Sequence, residues 1–254
     1  MKIYYRTSDS HYKKEKPKYI TDNACFFNLL SVFQDVPVSD LSVVLTADNV
    51  SDKTFDEFKD MIKDWKQFSL IRTFGGSSAA GFREVIKNAL DTTTNPEEII
   101  FFIEDDYIFR KGSYEALLDG FRLGSDIISL YTHPDKFIPA SKGGNPLVGE
   151  DGAQVTKIFL GKKAYWMLTD STTCTWATKL KTLREIEPII RPYISGTYPR
   201  DMEYFHELRK RGYSLVQPIP TFSTHAEVAW LSPLIGTEHS HLSKLDGWGE
   251  IISK

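Results

Sequence analysis

The feature that most restricts the fold is the run IIFFI, from Ile99 to Ile103, followed at once by Glu104, Asp105 and Asp106. A strand with one wet face alternates apolar and polar residues. A run apolar on both faces belongs at the centre of a sheet covered on both sides, which is how parallel sheets are built. Two earlier segments rich in β-branched and aromatic residues, Met1 to Tyr5 and Leu41 to Leu45, supply further strands.

Helical patterns lie between these strands. Asp22 to Gln34 places Cys25, Phe26, Leu29, Leu30 and Phe33 on one face. A T-x-x-E box at Thr54 and Glu57 opens a helix to Trp65, with Phe55, Phe58, Met61, Ile62 and Trp65 at helical spacing. A third helix follows the stretch FGGSSAAG, its stripe formed by Phe82, Val85, Ile86, Ala89 and Leu90. Strands alternating with helices predict crossover units and an open parallel sheet through about the first 130 residues. Ligands of such sheets bind beyond the carboxyl ends of the strands. Arg6, Thr7 and Asp9 follow the first strand, Asp48 the second, and the acidic triplet the third, so three polar clusters are expected to converge.

The second half reads differently. Gly143, Gly144, Pro146, Gly149 and Gly152 predict a long irregular loop from Ser141 to Gly152, suited to a lid. Short strands at Val155 to Leu160 and Ala164 to Leu168 come next. A helix from about Trp176 to Glu187, another near Glu203 to Arg211, and a strand at Ser214 to Gln217 complete the pattern. At 254 residues and 41% hydrophobic content the chain is expected to form one domain around a sizeable core.

With 31 basic against 34 acidic side chains, the formal net charge is −3, which argues against binding nucleic acid by bulk electrostatics. No apolar run is long enough to span a bilayer and no secretory leader opens the chain, so the expected location is the cytoplasm. Lys13, Lys14, Lys16 and Lys18 read first as a solvated loop, with contact to an anionic membrane as the alternative. Cys25 and Cys174 match neither a zinc spacing nor a disulfide framework and are expected to be reduced and structural.

Three consecutive carboxylates at the end of a buried strand repel one another, and a divalent cation is the simplest compensator. Magnesium and manganese favour oxygen ligands and often take one or two protein carboxylates, completing their shell with water and phosphates. In this setting Glu104-Asp105-Asp106 resembles the DxD motif of GT-A glycosyltransferases. The resemblance implies a metal ligand in Asp106 and donor-ribose contacts from Glu104 and Asp105; Glu104 departs from the acid usual in first place.

DMEYFHELRKRGY, from Asp201 to Tyr213, is similar to the D-x-[DE]-x-x-x-[RK]-L-x-x-x-G-Y stretch of inverting family-two transferases. Asp201, Glu203, Leu208, Gly212 and Tyr213 keep the spacing; Arg200 and Glu207 depart from it. By this likeness Asp201 is the catalytic base and Glu203 the second choice, while by position alone Asp201 is a helix N-cap. PIPTFSTHAE places His225 where many such enzymes complete the metal site, although a histidine there is also an ordinary hydrogen-bonded residue.

The resemblance implies a single GT-A (Rossmann-like) domain over 1–254, with a mostly parallel central sheet flanked by helices. Residues 1 to about 130 would form its donor half and about 131 to 254 its acceptor half. It implies a sugar moved, with inversion, from a nucleoside diphosphate sugar to a saccharide or glycolipid acceptor, with manganese or magnesium as cofactor. Arg6, Thr7 and Asp48 would join Glu104 and Asp105 in binding the donor. Trp166 and Trp230 are candidate sugar platforms. A carbohydrate-binding or assembly protein and a sugar-phosphate nucleotidyltransferase are the alternatives. The second lacks a basic, Gly-rich phosphate loop near the N-terminus.

Overall fold

The computed structural model of the chain describes residues 1–9, 15–18, 20 and 23–233. Lys13, Lys14 and the tail beyond Glu238 lie outside them. Eleven strands and six α-helices run in chain order among the described residues. The first part contains β1 (Lys2–Ser8), α1 (Ala24–Phe33), β2 (Ser42–Asp48), α2 (Asp52–Ile62), β3 (Phe68–Thr73), α3 (Ser78–Thr92) and β4 (Ile99–Glu104). Then come β5 (Tyr107–Phe109), α4 (Ser113–Arg122), β6 (Ile127–Ile128), β7 (Ile158–Leu160) and β8 (Tyr165–Thr169). The chain continues through β9 (Trp176–Lys179), α5 (Leu180–Ile190), α6 (Asp201–Lys210), β10 (Leu215–Ile219) and β11 (Ser223–His225). None of the described helices is long and apolar enough to cross a membrane.

The chain falls into two compact units, each drawn from three separate segments. The first comprises Met1–Lys13, Val36–Asp105 and Asp170–Ser214; the second comprises Lys14–Asp35, Asp106–Thr169 and Leu215–Lys254.

In the first unit the strand order is β3-β2-β1-β4-β9. β1 to β4 are parallel and β9 runs antiparallel to β4. The chain steps outward from β1 to β3 and then returns to β4 on the other side of β1. Such a reversal leaves a crevice between β1 and β4 at their carboxyl ends. IIFFI sits in the middle, with Ile100, Phe101, Phe102 and Ile103 all buried. Against it packs an aromatic stack in which Trp176 lies 5.0 Å from Phe102 and 6.0 Å from Phe205, ring centre to ring centre.

Two local expectations change here. Trp176 to Lys179, expected to open a helix, form β9, because pairing with β4 and burial of Trp176 outweigh local helix preference. Helix α2 begins at Asp52, not at a box on Thr54. Ser51 is its cap and accepts the Thr54 N–H, while Asp9 at the end of β1 accepts the Ser51 N–H at 2.8 Å.

In the second unit β6, β10, β8 and β7 lie side by side, β10 parallel to β6 and antiparallel to β8, with β7 at the edge. A separate ribbon pairs β5 with β11. Asn28 on α1 fastens β5 by both ends of its amide, donating to the Phe109 carbonyl at 3.0 Å and accepting its N–H at 2.7 Å. Both cysteines are buried thiols, as expected.

Candidate functional site

At the carboxyl end of β1 and β4, Arg6 pairs in register with Glu104. The Arg6 guanidinium lies 2.6 Å from Glu104 Oε1, with both side chains mostly covered. One residue further on, Thr7 Oγ1 donates to Asp105 Oδ2 at 2.7 Å, and the Ser8 N–H reaches the same oxygen at 3.3 Å. The compensation expected from a metal is therefore supplied to Glu104 and Asp105 by the first strand itself.

Asp48, at the end of β2, is almost fully buried. Its Oδ1 accepts the Gly75 N–H at 2.6 Å and the Thr73 hydroxyl at 3.2 Å, tying the β3–α3 loop to the strand. The glycines of FGGSSAAG make this approach possible. A Cβ on Gly75 would stand 2.5 Å from the Gly81 nitrogen, and one on Gly81 would stand 2.4 Å from Asp48 Oδ2. Asp48 thus shapes the wall of the crevice and presents little of itself to a ligand.

Asp201 is the first residue of α6, not its cap; Arg200 holds the capping position without a side-chain cap bond. Asp201 Oδ1 accepts the N–H of Met202 at 2.8 Å. Asp201 and Glu203 occupy the positive end of the helix and Arg209 and Lys210 the negative end, as the helix dipole favours. Gly212, at φ 93°, ends the helix as the sequence implies. Glu203 is half exposed and paired with Arg200 at 2.7 Å. Burial drives the Cys174 thiol well above its usual range; the Glu104 and Asp201 carboxylates push it further and Arg6 opposes them. Glu104, Arg6 and Asp201 therefore share one electrostatic neighbourhood around Cys174. Cys174 is a residue that sequence reasoning used only as a thiol count.

In the second unit, Asp106 follows the triplet into β5, which pairs with β11 so that His225 lies opposite Tyr107. The Ala226 N–H donates to the Asp106 carbonyl at 2.6 Å. This pairing brings His225 Nε2 to 3.6 Å from Asp106 Oδ2, although 119 positions separate them in the chain. Glu227 Oε2 lies 3.9 Å from His225 Nδ1, an acid that the sequence contained in STHAE but that no spacing rule singled out. Tyr107 packs edge-on against His225 at 4.8 Å. The Tyr131 phenol is pushed far up by burial and then by the Asp135, Asp106 and Glu227 carboxylates.

The Asp106–His225 pair fits a divalent cation. Two ligands each about 2.1 Å from one ion can lie as far apart as about 4 Å, and such ions commonly complete their shell with water and phosphate. Among the described residues no group of three or more His, Cys, Asp and Glu side chains is arranged to hold a metal. Of the candidate sugar platforms, Trp166 is fully buried and donates its indole N–H to Asp119 at 3.1 Å, which removes it from contact with a sugar. Trp230 is 41% exposed and lies against the His133 ring at 5.1 Å.

The mostly parallel central sheet flanked by helices is that of the GT-A glycosyltransferase fold. Among solved structures, the chain is similar to GalNAc-T7 with UDP, GalNAc and Mn2+, with a TM-score of 0.57, 11% identity, and coverage of 88% of this chain and 42% of that one. It is also similar to residues 1–349 of S. aureus TarS, with a TM-score of 0.50, 11% identity, and coverage of 85% of this chain and 58% of that one. The chain thus spans about half the length of these proteins, and at 11% identity what it shares with them is the fold. No protein-family model matches the chain, and no curated protein matches it in sequence.

Proposed function

We propose that the chain is a metal-dependent glycosyltransferase that moves a sugar from a nucleoside diphosphate donor to a saccharide or glycolipid acceptor with inversion. The observation that carries this reading is the order of groups leaving β4. Glu104 is held by Arg6, Asp105 by Thr7, and the next carboxylate, Asp106, stands beside His225. GalNAc-T7, of the same fold, has been solved with UDP, GalNAc and Mn2+.

In this reading Glu104 and Asp105 receive the donor ribose. Arg6 holds Glu104 in place, and Asp48 contributes to the base site through the Gly75 loop that it ties down. Asp106 and His225 hold manganese or magnesium. When bound, the ion offsets the charge that develops on the diphosphate. Asp201 accepts the proton of the acceptor hydroxyl; the hydroxyl oxygen forms a bond to the anomeric carbon as the bond from that carbon to the phosphate oxygen breaks. The diphosphate leaves with the bonding electron pair. Glu203, already engaged with Arg200, is the weaker candidate for the base.

The test is titration calorimetry of nucleoside diphosphates and nucleotide sugars with and without manganese, on wild type and Asp106→Ala. Manganese-dependent binding to wild type, lost in the variant, is the expected result. Saccharide binding indifferent to both nucleotide and manganese would replace the transferase with a carbohydrate-binding protein.

A further inference from the structure

The edge of the second unit's sheet carries a surface that the transferase reading does not use. In antiparallel pairing, residues opposite one another project from the same face. Leu160 on β7 pairs with Tyr165 on β8, and Tyr165 pairs with Ile219 on β10, so the three form one row across three strands. Ile158, two residues before Leu160, joins the same face. On the opposite face, Trp166, in register with Pro218, packs where α4 brings Gly120 close. The row itself is open to solvent: Leu160 is 74% exposed, Tyr165 58%, Ile158 52% and Ile219 37%.

Single exposed apolar side chains are ordinary, but three in one register-linked row with a fourth on the same face mark an interaction site. Charge identifies its occupant. From Ala153 to Leu168 there is no acidic residue, while Lys157, Lys162 and Lys163 flank the row, in a chain whose net charge is −3. All three lysines are exposed. The tip that carries Lys162 and Lys163 is fixed, because both backbone N–H groups donate to Asp119 at 2.9 Å. An apolar row bordered by cations on a rigid turn suits an anionic lipid surface, where the apolar groups enter the boundary of headgroups and chains and the lysines stay among the phosphates.

We propose that the β7–β8 hairpin docks the protein on an anionic bilayer, through Ile158, Leu160, Tyr165 and Ile219 with Lys157, Lys162 and Lys163. The inference is independent of the proposed chemistry. It concerns different residues from the cluster at Lys13 to Lys18, of which only Lys16 and Lys18 are among the described residues.

Flotation of the full chain with phosphatidylcholine vesicles, and with vesicles that also contain phosphatidylglycerol, tests it. Wild type is expected to float with the anionic vesicles and not with the neutral ones, and to be released by salt. Lys162→Glu with Lys163→Glu, and separately Leu160→Ser with Tyr165→Ser, are each expected to lower binding by about tenfold or more. These side chains are solvent-facing, so circular dichroism should be unchanged. Absence of wild-type flotation, or variants that float as wild type does, overturns the proposal. Self-association in sedimentation velocity that Leu160→Ser with Tyr165→Ser abolishes, without vesicle binding, would instead assign the edge strand to a second copy and overturn it as well.

Discussion

In the proposed reading, single side chains separate the groups that take part in the chemistry from those that build the crevice. Asp201 and Glu203 share one turn of α6, yet Glu203 is half exposed and spent on Arg200, whereas Asp201 shares its surroundings with Glu104 and Arg6 around Cys174. Replacing Asp201 with Asn is expected to lower kcat by at least about a hundredfold, the scale of general-base loss, with donor affinity largely kept. Glu203→Gln should leave kcat within a few-fold of wild type, and the reverse ranking in initial-rate assays would exchange the two roles. Gly81→Ala forces a methyl onto Asp48 and is expected to destabilise the fold by about 1–3 kcal/mol in urea unfolding. Resemblance to GT-A motifs made Asp106 and His225 candidates, and the structure brings them to within 3.6 Å of one another. The work of Asp48 was not legible, since it depends on the approach of Gly75, 27 residues away.

Among elements, those with strong local periodicity were legible and those built by pairing were not. The strands β1, β2 and β4 and the helices α1, α2 and α3 all lie where hydrophobic spacing placed them, apart from their ends. β9 and β11 were hidden, because WATK and STH carry no strand signal until β4 and β5 lie beside them. The hairpin of β7 and β8 depends on a group outside it. Asp119 on α4 accepts the Lys162 and Lys163 N–H groups and the Trp166 indole, and all of these bonds favour its ionised form. Burial alone would raise its pKa, but the two backbone bonds, the indole and Arg122 bring it below the usual 3.8. A depressed carboxyl stabilises the fold in full above its unfolded-chain pKa and ceases to do so as pH falls through the folded one. The stability contributed by Asp119 should therefore persist at neutral pH and fade below about pH 4. Asp119→Ala is expected to cost about 1–3 kcal/mol at pH 7, because it leaves the buried Trp166 indole and two part-buried backbone N–H groups without an acceptor, and to flatten the acid limb of a stability profile measured by urea unfolding.

For the whole molecule, the α/β class was readable because alternation of strands and helices is written locally, while the division into units was not. The likeness to GT-A enzymes implied two consecutive halves meeting near residue 130. The contacts that set the units apart join residues from Met1–Lys13 to others as distant as Asp170–Ser214. A fragment ending at Leu130 would keep β1 to β4 but lose β9, α5 and α6 from the first unit and β7, β8, β10 and β11 from the second. Such a fragment is expected to show no cooperative transition in thermal or urea denaturation; a sharp one would mean that the parallel strands fold alone.

Because the chain passes five times between its two units, neither can be excised, duplicated or exchanged through a single cut in the gene. The residues beside Arg6 and those beside His225 are thus bound to a common inheritance. New specificity in such a chain has to arise by substitutions and loop insertions within the existing frame, not by grafting one ready-made half onto another.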